Sequence, residues 1–348
     1  MQRNILFTFF FLIGIAAHVR GSCQDYTDCD SCAKHVGQFL GCRWCVTTNK
    51  CNDFIATGAC DEALTVTDPY DCPMPPRSGY GYTDSFARFK VLPLISAAQS
   101  DNPQACLTNA MNGAKLKRQL SVPCDSKGDT CSGYTATSNY DKAIIASFQG
   151  TKGTWQAILE VLESFEAKKP FVAGGNVAEY FYNGFYAVWN AGMKDDLLTL
   201  KAANPDYELW VVGHSLGGSL ASLCAALVIK LNMWPAEKVK LVTFGQPRTG
   251  DIDYAKAHDQ LLYYGYRVVH HKDPVPHIPL RPFGNFHHRY EVWYNNNMTI
   301  SDTFELCTRS DDDTCSNAGF NLLDLEFSDH LHYFNQDVSG WGNSGCTN

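Results

Sequence analysis

One serine in this 348-residue chain is set up for nucleophilic chemistry by its neighbours. In Val211-Val212-Gly213-His214-Ser215-Leu216-Gly217-Gly218 it stands between a strand-like run and a helix-like run, with glycines two positions before and after it. A strand-turn-helix elbow strains the nucleophile's backbone and crowds the adjacent main chain, so the flanking positions require glycine. Ser215 would then project at the carboxyl end of a sheet, beside a helix N-terminus that favours developing negative charge. The N–H of Leu216, the next residue, is an oxyanion donor in this scheme. A glycine-rich turn with a capping serine is the non-catalytic reading of the same pattern. A serine hydroxyl needs a histidine to take its proton and a carboxylate to orient that histidine, in the chain order Ser, Asp, His. Asp251, Asp253, Asp259 and Asp273 all lie downstream; Asp273 follows the strand-like YRVVHH, where the site should lie, and is the expected acid. His277 is too near Asp273 in sequence, which leaves His330 or His332 near the C-terminus, and spacing does not choose between them. The pairs His270-His271 and His287-His288 hint at a metal, but adjacent side chains rarely converge on one ion and no partner at zinc spacing lies nearby. Neither metal nor cofactor is expected.

The elements that must carry these residues can be read from hydrophobic periodicity. Beyond Pro76, β-branched apolar runs alternate with amphipathic helical patterns, which predicts an α/β sheet wrapped by helices. Ala143 to Phe148, Glu208 to Val212, Val239 to Phe244 and Tyr266 to His270 are the expected inner strands. Leu216 to Leu231 is the expected helix behind Ser215, with Gly217, Gly218, Ala221 and Ser222 permitting close approach to the sheet. After Thr151, apolar residues recur at Trp155, Ile158, Leu159, Leu162 and Phe165 opposite Gln156, Glu160, Glu163 and Glu166, the spacing of an amphipathic helix.

The chain begins with MQRN and an apolar run from Ile5 to Ala17, ending in small residues near Gly21 and Ser22, which predicts a signal peptide over 1–21. That run is shorter than the ~20 residues needed to span a bilayer, so no transmembrane anchor is expected. Fifteen cysteines fit an oxidising compartment. Their odd number leaves at least one unpaired, for which Cys224, inside the apolar ASLCAALVI, is the candidate. Eight of them fall between Cys23 and Cys72, ahead of the stiff joint Pro73-Met74-Pro75-Pro76. A segment that short gains more from disulfides than from core burial, and in an exported chain bridges are favoured over a zinc ribbon built on Cys29-x2-Cys32 and Cys42-x2-Cys45. The expected organisation is a cysteine-rich domain over 22–72, a linker over 73–85 and a catalytic domain over 86–348. A net charge of −8 supplies no basic surface for nucleic acid. The sequon Asn297-Met298-Thr299 fits glycosylation. Asp311-Asp312-Asp313 lacks calcium-loop spacing and reads as a solvated turn.

From roughly Phe86 to Cys346 the chain resembles the class 3, or fungal-type, triacylglycerol lipases. The motifs are Ser147-Phe148-Gln149-Gly150-Thr151, Asn183-Gly184-Phe185, the elbow, Thr243-Phe244-Gly245-Gln246-Pro247-Arg248-Thr249-Gly250, His271-Lys272-Asp273-Pro274-Val275-Pro276 and His330-Leu331-His332-Tyr333-Phe334. The resemblance implies an α/β-hydrolase fold, Asp273 as triad acid and His330, the first histidine of its motif, as base. It implies Thr151 as the second oxyanion donor beside Leu216, although Gln149 replaces the family's usual arginine in that loop. It also implies that the 155–165 helix is a lid, and it agrees with bridges Cys307–Cys315, Cys124–Cys131 and Cys106–Cys346. The 22–72 segment resembles the PSI (plexin-semaphorin-integrin) repeat in Cys42-Arg43-Trp44-Cys45 followed by Cys51, which implies a spacer or a protein-binding module.

Together these readings point to a secreted serine carboxylic-ester hydrolase, foremost a triacylglycerol lipase working through an acyl-enzyme at a lipid–water interface. Export would end outside the cell or in the lumen of the secretory or lysosomal pathway. A phospholipase or feruloyl-type esterase would share every catalytic motif. An inactive binding protein would need the elbow without the chemistry.

Overall fold

A computed structural model of the chain describes residues 22–35, 41–54, 60–124, 130–151, 167–321 and 327–347. The expected signal peptide and the expected lid helix lie outside these residues. Two compact units meet in sequence between Pro69 and Tyr70.

The first unit is small and held by disulfides. Cys42–Cys45 forms the central strand of a three-stranded antiparallel sheet, flanked by Lys50–Asp53 and Thr65–Val66. Bridges Cys23–Cys42, Cys32–Cys51 and Cys45–Cys60 cross-link it. These thiols are therefore oxidised rather than arranged as zinc ligands. Cross-links limit the unfolded chain's freedom, which compensates for a core this small.

The second unit is built on one eight-stranded sheet whose spatial order follows the chain: β1 (Lys115–Pro123), β2 (Thr130–Ser138), β3 (Ala143–Phe148), β4 (Glu208–His214), β5 (Val239–Phe244), β6 (Tyr264–His270), β7 (Glu291–Tyr294) and β8 (Glu305–Cys307). Strands β3 to β7 run parallel, while β1, β2 and β8 pair antiparallel at the two edges. Parallel strands need crossovers, and the crossover helices cover one face of the sheet, while a helix that precedes β1 covers the other. Alternation along each strand accordingly feeds two cores. Ile144, Leu209, Val211 and Leu241 face one, beneath helices α2 (Glu179–Val188) and α3 (Leu216–Lys230). Ile145, Trp210, Val212, Val242 and Val268 face the other, against helix α1 (Leu92–Gln99). All four expected inner strands and the helix behind Ser215 are present.

Register aligns the carboxyl ends of the middle strands. Phe148 pairs with Gly213, His214 with Phe244, and Phe244 with Val268. The turn after β3, Ser215 after β4, Gly245 after β5 and the segment after β6 therefore emerge side by side. Bridges Cys106–Cys346, Cys124–Cys131 and Cys307–Cys315 are formed, and Cys224 is a free, buried thiol in α3.

The acidic run is not the solvated turn its composition suggests. Asp311 is only 5% exposed, pairs with buried Arg248 at 2.7 Å and accepts the His287 N–H at 2.9 Å. Asp312 pairs with Arg309, and Asp313 with Arg281 at 2.6 Å. Two of the three arginines come from distant loops, so the run alone could not disclose its partners. No helix among the described residues is long and apolar enough to cross a membrane.

Candidate active site

Ser215 adopts φ 57° and ψ −129°, a conformation that costs a non-glycine residue on the order of 1–3 kcal/mol. The elbow fixes it there. Its N–H donates to Phe244 O at 2.9 Å, tying the turn to the end of β5. A Cβ on Gly213 would overlap the main chain of Gly217, and a Cβ on Gly217 would overlap Phe148 O, so both positions exclude side chains. Leu216 opens α3, and its N–H has no acceptor within the helix.

The turn after β3 lies directly against the nucleophile: a Cβ on Gly150 would sit 2.9 Å from His214 O and 3.4 Å from Ser215 Cβ. Gln149 anchors this turn. Its main-chain N–H donates to Ser132 O at 3.0 Å and its side-chain amide donates to Ala98 O at 2.7 Å, with the residue itself buried. Thr151 follows, half-buried, at the edge of the described residues.

Asp273 and His330 meet beside Gly245, just past the end of β5. Both Asp273 carboxylate oxygens lie 3.0 Å from His330 Nδ1, and both residues are almost fully buried. A carboxylate accepts only, so Nδ1 carries the proton and Nε2 is left as the acceptor. Asp273 also accepts from the Val275 N–H at 2.9 Å and from the Tyr333 hydroxyl at 2.6 Å. Burial by itself would raise this carboxyl; the charge and hydrogen bond of His330, then Tyr333 and the Val275 N–H, outweigh it and hold the carboxyl below its ordinary range. The Tyr333 hydroxyl is pushed well above its usual value by burial and by the adjacent carboxylate, so it remains a donor. Its ring stacks on Phe244 at 4.8 Å.

His330 Nε2 is buried and makes no hydrogen bond among the described residues, Ser215 included, so the link from Ser215 Oγ is not formed in this conformation. Bonds of this kind tighten when substrate binds. Gly245, at φ 57°, gives the pair its room: a Cβ there would stand 2.7 Å from Asp273 Oδ2 and 2.8 Å from His330 Nδ1.

The other candidates are engaged elsewhere. His332 is exposed and its Nδ1 donates to Ser328 O at 2.8 Å. His277 bonds the Asn317 side chain at 2.9 Å, and His287 Nε2 donates to Pro276 O at 2.7 Å. Asp251 caps helix α4 (Ile252–Leu261), and Asp259 accepts from Tyr70 and from the Arg289 N–H. His258, Asp259 and His288 bring ligand-type atoms within 4.8 Å of one another. The two imidazoles stack at 3.7 Å and 17°, however, so their in-plane lone pairs run parallel instead of converging on an ion. Two residues of the site escaped the sequence reading. Tyr333 lies inside the motif that supplied His330, and His214 lies inside the elbow, but neither spacing disclosed a hydrogen-bond partner.

Residues 145–283 match the family model for lipase (class 3). A lipase of Caenorhabditis elegans is 35% identical over 296 residues, covering 76% of this chain and 83% of that protein. The secreted mono- and diacylglycerol lipase A of Penicillium cyclopium is 32% identical over 224 residues, covering 63% of this chain and 70% of its own length. Among solved structures, a lipase from Rhizopus microsporus var. chinensis superposes with a TM-score of 0.65 at 24% identity, covering 77% of this chain and 94% of that one. At that identity the likeness establishes the α/β-hydrolase fold alone. Sequence identity sustained over three quarters of the chain establishes more: the chain belongs to the class 3 lipase family and is a carboxylic-ester hydrolase.

Proposed function

We propose that this protein is a secreted lipase that hydrolyses acylglycerol esters, triacylglycerol foremost, with Ser215 as nucleophile, His330 as general base and Asp273 as the acid that orients it. The observation that carries this reading is the buried Asp273–His330 pair, 3.0 Å apart, beside a serine held at positive φ on a strand-to-helix turn. Ser215 Oγ attacks the ester carbonyl as its proton passes to His330 Nε2. Asp273 keeps the Nδ1–H tautomer in place and stabilises the imidazolium. The N–H of Leu216 and the Thr151 donor meet the oxyanion; loss of one such donor costs about 10²–10³ in rate. Collapse of the tetrahedral intermediate returns the proton to the departing alkoxide and leaves an acyl-serine. Water, deprotonated by His330, then releases the fatty acid.

The name of the Penicillium relative, a secreted mono- and diacylglycerol lipase, supports acylglycerols as the substrate class and export as the fate of this chain. The module over 22–72 is proposed to be a PSI-like spacer or protein-binding element, followed by a linker and by the hydrolase domain over 86–348. The test is a substrate panel offered to the purified mature protein: emulsified tri-, di- and monoacylglycerols, phosphatidylcholine and a feruloyl ester. Acylglycerol turnover at least tenfold above the other two classes is expected. A preference for phosphatidylcholine or the feruloyl ester would reassign the substrate.

A further inference from the structure

His330 is carried by a helix only five residues long, α5 (Phe327–Leu331). A helix that short leaves its last carbonyls without intrahelical donors, and a histidine side chain near a helix C-terminus is well suited to meet them. Here the carbonyls around the base are met by imidazoles. His214 Nε2 lies 2.7 Å from His330 O. His270 Nδ1 lies 2.7 Å from His332 O and 3.1 Å from Asp329 O, and the other nitrogen of that ring faces Asn296 O at 3.1 Å. A carbonyl only accepts, so the two ring nitrogens that meet this segment, His214 Nε2 and His270 Nδ1, act as the donors.

We propose that His214 and His270 are positioning residues that hold the general base by its main chain, each donating a ring N–H to carbonyls of the segment that bears His330. This inference rests on the reading of Ser215, Asp273 and His330 as the triad. Asp273 and Tyr333 orient the His330 ring from one side, while the two further imidazoles fix the backbone from which that ring projects. Both sit where the nucleophile and the acid are anchored: His214 immediately precedes Ser215, and His270 ends β6, with its carbonyl accepting the Asp273 N–H at 2.8 Å. One side chain thus couples the base to the serine's strand, and the other couples it to the acid's strand. His214 is suited to the task because it stays uncharged. Its ring lies 4.5 Å from that of His330, and burial, followed by the charge of His330, pushes it down to about 3. It can therefore donate to the base's carbonyl without opposing the positive charge that His330 acquires in each turnover.

The test compares His214→Phe and His270→Phe, which keep a ring and remove the donor, with His214→Gln and His270→Gln, which keep a donor. All are measured on a soluble short-chain ester, with active sites counted by end-point fluorophosphonate labelling. Because misplacing a reacting group by about 1 Å can cost about 10²-fold, each Phe variant should lose roughly 10- to 100-fold in kcat per labelled site, with KM within about twofold. The Gln variants should recover most of that loss. Wild-type kcat per labelled site in the Phe variants, or equal losses in Phe and Gln, would overturn the proposal. Should a Phe variant not fold, ring-15N-histidine spectra of the wild-type protein decide: His214 is expected as the Nε2–H tautomer, and an Nδ1–H tautomer would overturn the proposal. Wild-type protein that fails to label at all would instead refute the triad reading.

Discussion

At the scale of single residues, the site depends on space and donors around one carboxylate. Gly245→Ala would put a methyl group 2.7 Å from Asp273 Oδ2 and 2.8 Å from His330 Nδ1, at a φ that alanine rarely adopts. The pair must then separate, and kcat should fall by roughly 100-fold or more while most of the protein remains folded, as read by circular dichroism. Unchanged kcat would show that the Asp273–His330 contact is dispensable. Tyr333→Phe removes one of the donors to a buried carboxylate, a loss of about 1–3 kcal/mol. A lower melting temperature and a kcat reduced by about tenfold are expected, with KM unchanged; an effect confined to KM would contradict this assignment. Ser215 and Asp273 were legible because the elbow and the end of a strand are local features. Spacing left the choice between His330 and His332 open, and only the family resemblance pointed to His330. Those two side chains differ in where a five-residue helix ends, and the contacts that distinguish them span 57 residues for Asp273 but only four for Ser328.

At the scale of elements, strand register does the positioning, and the strands visible in sequence were those buried on both faces. Every residue of Ala143–Phe148 is buried, whereas edge strand β1 buries only Leu120 and leaves its charged side chains exposed or partly covered, so it carries no continuous apolar run. Strands β7 and β8 are too short to give a periodic signal. Arg248 shows how distant loops are joined beneath the site. It lies in the turn motif after β5, pairs with Asp311, and donates to the carbonyls of His277 and Pro279 in the segment that follows Asp273. Arg248→Ala would strand a buried carboxylate, so a loss of about 3–5 kcal/mol in unfolding free energy is expected in urea titrations. A loss below about 1 kcal/mol would mean that Asp311 finds another partner. The sequence assigned Asp311 to solvent because a charge run without its partners looks hydrated.

At the scale of the whole molecule, buried imidazoles should make the fold sensitive to acid. Burial pushes His214, His258, His277, His287 and His288 below the ordinary histidine value, His214 to about 3. Below about pH 6.5 the unfolded chain takes up protons that these folded sites refuse, so their stabilising contribution is full above that pH and erodes as pH falls. Asp259 acts with the opposite sign. Burial raises it to about 7, so its contribution is full below about pH 3.9 and is lost as pH rises towards 7. The histidines outnumber it, and the melting temperature should therefore fall on going from pH 7 to pH 5. A flat or rising melting temperature over that interval would contradict the buried, neutral state of these rings. The central claim, that Ser215 is the nucleophile of an ester hydrolase, is tested most directly by mass-spectrometric mapping of the adduct formed with a fluorophosphonate. A single phosphonylated residue at Ser215, absent from Ser215→Ala and blocked by prior incubation with substrate, is expected. Folded wild-type protein that remains unmodified, or is modified at a different residue, would contradict it.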